Sequence, residues 1–261
     1  MSFVYREVSG TGFYEVSGWD GAHGIFTTRR GGVSSGPFES LNLGGSSGDD
    51  QSAVTGNRAR LAEAIGLHPG GIKTVSQVHG TNVFVLRDPE APRPEQGYDA
   101  IITDVPGIAA GVLTADCVPV LLYDPNRRAA GAVHAGWKGT VNGIAGKAVR
   151  AMGLEFGCRP EDIRACIGPS IGPCCYEVDA RVMAPLVDLL GDKWQDYAVS
   201  ARPLHWNLDL WSVNRQTLVM AGVRPENIDI FSMCSSCNQD KFFSHRGSGG
   251  KSGRMMGLVV L

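Results

Sequence analysis

No apolar run in this 261-residue chain approaches the ~20 residues a helix needs to cross a bilayer, so no membrane span is expected. Excess positive charge is missing too. Lys and Arg number 24 against 26 Asp and Glu, for a net charge of −2, and no basic stripe is visible. Nucleic acid and anionic membrane surfaces are therefore not the expected partners. The opening MSFVYREVSG lacks a basic head followed by an apolar run, which argues against a signal peptide. The seven cysteines make an odd set without an export signal, which speaks against a disulfide framework and for a reducing cytoplasm. No GxGxxG follows a strand and no Walker loop occurs, so a nucleotide cofactor is not expected. Linkers and internal repeats are absent as well, and the expectation is one domain over 1–261.

What is present centres on Gly111–Thr140, GVLTADCVPVLLYDPNRRAAGAVHAGWKGT. Short runs rich in Val and Leu, bounded by turn residues, read as strands over Gly111–Thr114, Val118–Tyr123 and Ala129–Val133. Cys117 and His134 then stand at strand ends. His79, in SQVHG after a strand at Ile72–Val75, occupies the same kind of place before a glycine.

Further strands are expected at Phe13–Val16, His23–Thr28, Val83–Leu86, Asp99–Thr103, Ile163–Ile167, Ile228–Ser232 and Gly257–Leu261. Helices are expected at Ser52–Ile65, Asn142–Met152, Asp179–Leu190 and Leu210–Ala221. The small residues Gly143, Ala145, Gly146 and Ala148 would let the second of these pack closely on a sheet. Ala198–Asp209 reads as mostly irregular. Early hairpins and blocks of helices without regular βαβ alternation give an α+β class, with mixed β-sheets flanked by helices.

A thiolate and two imidazoles suit a catalytic zinc, which takes three protein ligands and keeps a fourth position open. The same residues also suit a Cys117 nucleophile activated by His134. Cys234-Ser-Ser-Cys237 is a lone CxxC, and the adjacent Cys174-Cys175 does not repeat its spacing; packed thiols are the plain reading. Arg246, in FFSHRG, has the planar fork that grips phosphate or carboxylate.

The segments TTRRGGVS, SLNLG, SQVHG, LTADCVPVLL, HAGWKGT, IGPSIGPCCYEV, FFSHRG and the late SGR together resemble the laccase-domain family, also called multicopper polyphenol oxidase-like proteins. They run in the family's order from about residue 23 to the C-terminus. The resemblance implies a zinc held by His79, Cys117 and His134. It implies phosphorolysis of purine nucleosides (adenosine, inosine, guanosine, methylthioadenosine) by inorganic phosphate, with adenosine deamination as a side activity. Asn42, Arg29 and Arg246 are its candidate pocket residues, and Arg246 also a candidate catalytic group. The chain lacks the H-x-E…P-C-x-x-C signature of zinc deaminases, so a different group would have to serve as acid or base. Asp116, beside Cys117, is the candidate, and a turn carboxylate or one that orients a ligand is its equal alternative reading.

Two positions depart from the family pattern. Lys138 follows HAGW where arginine is usual, and Gly247 follows Arg246 where a second arginine is frequent. Either change would slow phosphorolysis if that arginine gripped phosphate. The alternative is a copper-dependent oxidase of phenols, but six histidines are too few for four coppers. A non-enzymatic binding protein is the remaining alternative. The oligomeric state is left open, with a monomer compatible.

Overall fold

The computed structural model describes residues 3–90 and 92–261. In chain order the first elements are β1 (Phe3–Val8), β2 (Thr11–Val16), β3 (His23–Thr27), α1 (Gln51–Ala64), β4 (Ile72–Thr74), β5 (Val83–Leu86), β6 (Ala100–Thr103), β7 (Ala109–Thr114), β8 (Val118–Asp124) and β9 (Ala129–Ala135). There follow α2 (Trp137–Val141), α3 (Ile144–Phe156), β10 (Arg164–Ile167), β11 (Glu177–Asp179), α4 (Ala180–Leu190), β12 (Ala198–Arg202), β13 (His205–Leu208), α5 (Leu210–Met220), β14 (Ile228–Ile230) and β15 (Met255–Val260).

One six-stranded sheet has the order β1-β2-β3-β15-β7-β4, and a second has the order β14-β10-β8-β9-β6-β5. Both are mixed: β4 runs parallel to β7, β5 to β6 and β10 to β14, while the other pairs are antiparallel. The small sheet β11-β13-β12 stands apart. The structure is thus α+β with mixed sheets flanked by helices.

The two large sheets face one another. Their inner faces interlock Phe26, Val112 and Val259 of the first with Ile101, Leu121 and Ala132 of the second. The outer face of the second sheet, with Ile102, Val120 and Val133, packs on Ala145, Val149 and Met152 of α3. The outer face of the first, with Ile25 and Leu258, packs on Leu61 of α1. Burying both faces of a central strand explains why β8 and β9 read as unbroken apolar runs instead of alternating ones.

Caps set the helix ends. Asp50 accepts from the amides of Ser52 and Ala53 to open α1, and Asp209 does the same for Trp211 and Ser212 at α5. The helix expected from Asn142 instead begins at Ile144. Gly143 adopts φ 70° in the left-handed region and separates α3 from the single-turn α2. Ala145 and Ala148 do meet the sheet, but Gly146 faces α5, where an added Cβ would lie 3.3 Å from the Thr217 carbonyl oxygen. The stretch expected to be irregular, Ala198–Asp209, forms β12 and β13. Polar alternation and the Pro203-Leu204 turn hid that hairpin, which is mostly exposed along β12.

Candidate metal centre

The β8–β9 pairing places His134 opposite Pro119, two residues beyond Cys117, so one hairpin delivers a thiol and an imidazole to the same end of the sheet. The loop after β4 brings His79 to them. One ligand atom from each of His79, Cys117 and His134 lies within 4.8 Å of the others. Cys117 Sγ is 3.8 Å from His79 Nε2, and the two imidazole rings stand nearly perpendicular at 78° with centroids 4.9 Å apart. These are the softer N and S donors that a zinc-like divalent ion takes, in the number that leaves a coordination position free.

Asp99, which sequence reasoning missed, organises the group. Its fully buried carboxylate lies 2.8 Å from His134 Nδ1, so the other ring nitrogen of His134 is the one presented to the centre. The same carboxylate accepts the amides of Val78, His79 and Gly80, at 3.3, 2.9 and 2.6 Å. His79 has φ 59°, a left-handed conformation unfavourable for a branched-ring side chain, and these three bonds hold it there. The only sequence signal was a lone carboxylate immediately before the apolar strand β6. Gln77 fixes the other flank by pairing both its amide ends with the Leu113 backbone, at 2.7 and 2.8 Å.

Gly136 explains the glycine after His134. A Cβ there would come within 2.9 Å of His79 Cδ2 and 3.1 Å of Cys117 Sγ. Electrostatics couples the three side chains. Burial pushes the Cys117 thiol up, but His134 and His79 outweigh it and bring it down to about 6. Burial pushes His134 down, but the Cys117 thiolate and the Asp99 carboxylate outweigh that and raise it to about 9. The set is therefore a thiolate beside an imidazolium, ready to exchange the imidazolium proton for a cation.

The trio sits at the wall of a cavity of ≈ 830 Å³. Arg58 of α1, Arg93, Arg254 and His245 also line it, and no carboxylate does among the described residues. Burial holds the Arg58 guanidinium below its ordinary value, with Arg93 adding like-charge repulsion; burial does the same to Arg254. Three guanidinium groups crowded into a lining without carboxylates make an anion site. Backbone carbonyls orient them: Arg58 Nε donates to Leu43 O, Arg93 Nη2 to Val75 O, and Arg254 Nη1 to Ser252 O and Gly253 O.

The other sequence-predicted residues lie differently. Asn42 is fully buried behind the cavity; its amide group donates to Ser47 and Asp49, and its oxygen accepts the amides of Gly44 and Arg254. Arg29 does not line the cavity; it donates to Glu39 O and Gln239 O and covers the Phe243 ring. Arg246 points its guanidinium at Glu177 O and the Tyr176 ring. Its amide donates to Asp116 Oδ2, while Ser235 Oγ donates to Asp116 Oδ1, both at 2.6 Å. Asp116, at φ 84°, thus ties the Cys117 loop to the 235–246 segment. Lys138 lies over the neighbouring Trp137 ring, and the Gly247 amide bonds Ser244 Oγ; neither lines the cavity.

Known proteins resemble this chain over most or all of its length. Residues 23–261 match the family model described as multi-copper polyphenol oxidoreductase laccase. Purine nucleoside phosphorylase YlmD of Geobacillus stearothermophilus is 38% identical over 250 residues, covering 92% of this chain and 90% of that protein. A purine nucleoside phosphorylase of Bacteroides thetaiotaomicron is 34% identical over 268 residues, covering 100% of this chain and 99% of that one. The crystal structure of the Bacillus licheniformis hypothetical protein YfiH superposes with a TM-score of 0.92 at 35% identity, covering 98% of both chains.

Proposed function

Because the chain belongs to the multi-copper polyphenol oxidoreductase laccase family, two of whose members above are named as purine nucleoside phosphorylases, we propose that it cleaves purine nucleosides with inorganic phosphate. The observation that carries the reading is one cavity lined both by His79, Cys117 and His134 and by Arg58, Arg93 and Arg254. An acceptor of negative charge and a divalent-ion cradle in one chamber suit a reaction between an anion and an uncharged ribosyl donor. A phosphate oxygen bonds to C1′ as the C1′–N9 bond breaks, the departing purine takes up a proton, and ribose 1-phosphate forms.

In this reading the three guanidinium groups hold phosphate by charge and by paired N–H donors. Arginine is better suited than lysine to that task because its fork matches two oxygens at once. A divalent ion bound by His79, Cys117 and His134, with zinc the proposed identity, would add a fixed positive charge with an open position. Asp99 keeps the His134 ring turned towards it. Asp116 acts as a positioning residue, since both its oxygens already accept hydrogen bonds that join two loops. Arg246 supports the cavity edge through Asp116 and Tyr176, and Asn42 supports it through the Arg254 amide. Deamination of adenosine is proposed as a side activity of the same chamber: water adds to C6 of the base, the C6–N6 bond breaks, and the amino group leaves as ammonia to give inosine.

Copper-dependent oxidation of phenols is the competing activity that the family description suggests. Four coppers need many imidazoles, and the chain has six histidines in all. Among the described residues only one cluster combines histidine with cysteine. The deciding experiment incubates zinc-loaded protein with adenosine, with and without phosphate, and separates the products. Adenine formed only with phosphate supports phosphorolysis, inosine reports deamination, and unchanged nucleoside in both arms rejects the proposal.

A further inference from the structure

Four cysteines that sequence spacing kept apart meet in the fold. Cys174 and Cys175 lie in the turn before β11, and Cys234 and Cys237 in the turn after β14. The two turns are drawn together by backbone bonds. The Ser235 amide donates to Ser170 O at 2.9 Å, the Ser170 amide to Met233 O at 3.3 Å, and Trp211 Nε1 clamps Ser170 Oγ at 2.6 Å. Gly172 makes the approach possible: a Cβ there would lie 2.7 Å from the Trp211 ring and 3.2 Å from Cys234 Cβ.

All four sulfurs lie within 4.8 Å of one another. Cys237 Sγ is 3.5 Å from Cys174 Sγ and 3.4 Å from Cys175 Sγ. A disulfide needs about 2.05 Å, so these are free thiols. Four sulfurs each about 2.3 Å from a central tetrahedral ion would be about 3.8 Å apart, within the observed spread. Burial raises the Cys174 thiol, whereas at Cys234 two backbone amides outweigh burial and lower it. The Gly172 amide donates to Cys234 Sγ at 3.3 Å, and the Cys237 amide is directed at the same sulfur. One of these amides belongs to the CxxC turn itself and the other to the facing turn, and the four thiols converge between them.

We propose that Cys174, Cys175, Cys234 and Cys237 form a second metal site, a structural tetrathiolate site for zinc, separate from the His79–Cys117–His134 cluster. Binding deprotonates four thiols and releases four protons to water, leaving a complex of charge −2 whose strongest local donors are the two amides. Its role is to staple two chain segments. The first carries Tyr176; the second carries Ser235, which holds Asp116, and leads to Arg246. The proposal does not rest on the phosphorylase reading, and its test measures metal and thiols instead of turnover.

The experiment determines zinc per full-length chain by elemental analysis after purification with zinc present, for wild type and for Cys234→Ser, Cys237→Ser and His79→Ala. Two zinc ions are expected in wild type and one in each variant. Loss from Cys237→Ser is the decisive arm if Cys234→Ser does not fold, because Cys237 is exposed whereas Cys234 is buried. Wild type gives a second readout. Alkylation under native conditions, mapped by mass spectrometry, should spare all four thiols with zinc and modify Cys174 and Cys237 after a chelator. Cobalt loading should add the intense visible bands of tetrahedral tetrathiolate coordination. Zinc per chain in Cys237→Ser equal to that of wild type, or a disulfide among the four cysteines in zinc-loaded protein, overturns the proposal.

Discussion

His134 Nδ1 stands 2.8 Å from Asp99 Oδ1, and the same carboxylate anchors the backbone of His79. One buried side chain therefore orients two of the three candidate ligands, from segments far apart in sequence. Asp99→Asn keeps the shape but replaces one acceptor oxygen with a donor facing backbone amides. Affinity for zinc at this centre should fall by roughly 10–100-fold. Stability should fall by about 1–3 kcal/mol for each amide left unpaired. Chelator competition and urea unfolding read the two effects; unchanged zinc affinity would show that Asp99 only braces the loop.

Gly136→Ala tests the crowding around the ligands. The new methyl would meet His79 and Cys117 at 2.9 and 3.1 Å, so the ligands must separate. Zinc affinity is expected to drop at least tenfold, with a loss of stability of about 1–3 kcal/mol from overpacking. Zinc retention at wild-type affinity would mean that the neighbouring rings move aside freely.

Arg58→Gln and Arg254→Gln should each raise the KM for phosphate by about 10–100-fold, the worth of one or two charge-assisted bonds. The nucleoside KM should move far less. Lys138→Arg, which restores the family's usual residue, should leave the phosphate KM unchanged because position 138 lies off the cavity lining. Steady-state kinetics with phosphate varied separates these cases, and a large gain in Lys138→Arg would relocate the anion site.

Cys158 supplies a pH prediction away from the metal centre. Burial first, and the Asp124 carboxylate second, push its thiol up to about 12. The unfolded chain loses this proton near 8.5 while the folded chain keeps it. Stability therefore falls as pH rises from about 8.5 towards about 12, by up to ~1.4 kcal/mol per unit. Cys158→Ala removes that slope, so its deficit relative to wild type should narrow by about 2 kcal/mol between roughly pH 7.5 and pH 10. Parallel urea titrations at both pH values check this, and a constant deficit would rule out Cys158 as the source.

Much of this architecture could be read along the chain because it is local. The runs Val118–Tyr123 and Ala129–Val133 are bounded by turn residues, and glycines beside His79 and His134 mark where backbones crowd together. Residues whose roles depend on distant partners were not legible in that way. Asp99 matters through its contact with a histidine 35 positions away. Arg58 reads as the polar side of α1 until the fold turns that side towards the cavity. Asn42 and Arg29 sit in motifs that carry the family resemblance, yet their polar atoms are committed to neighbouring backbone and side chains. The cysteine pairs at 174–175 and 234–237 have unlike spacing, and they become neighbours through long-range contacts such as the β10–β14 pairing and the Ser170–Cys234 bridge.

The place of β15 between β3 and β7 has a consequence for biogenesis. The first large sheet stays in two halves until the final strand has left the ribosome, so nascent chains must carry an open seam between hydrophobic ribbons. Chains halted near residue 250 should be cut readily by protease while full-length chains resist. Equal resistance would mean that β3 and β7 find another way to close the gap.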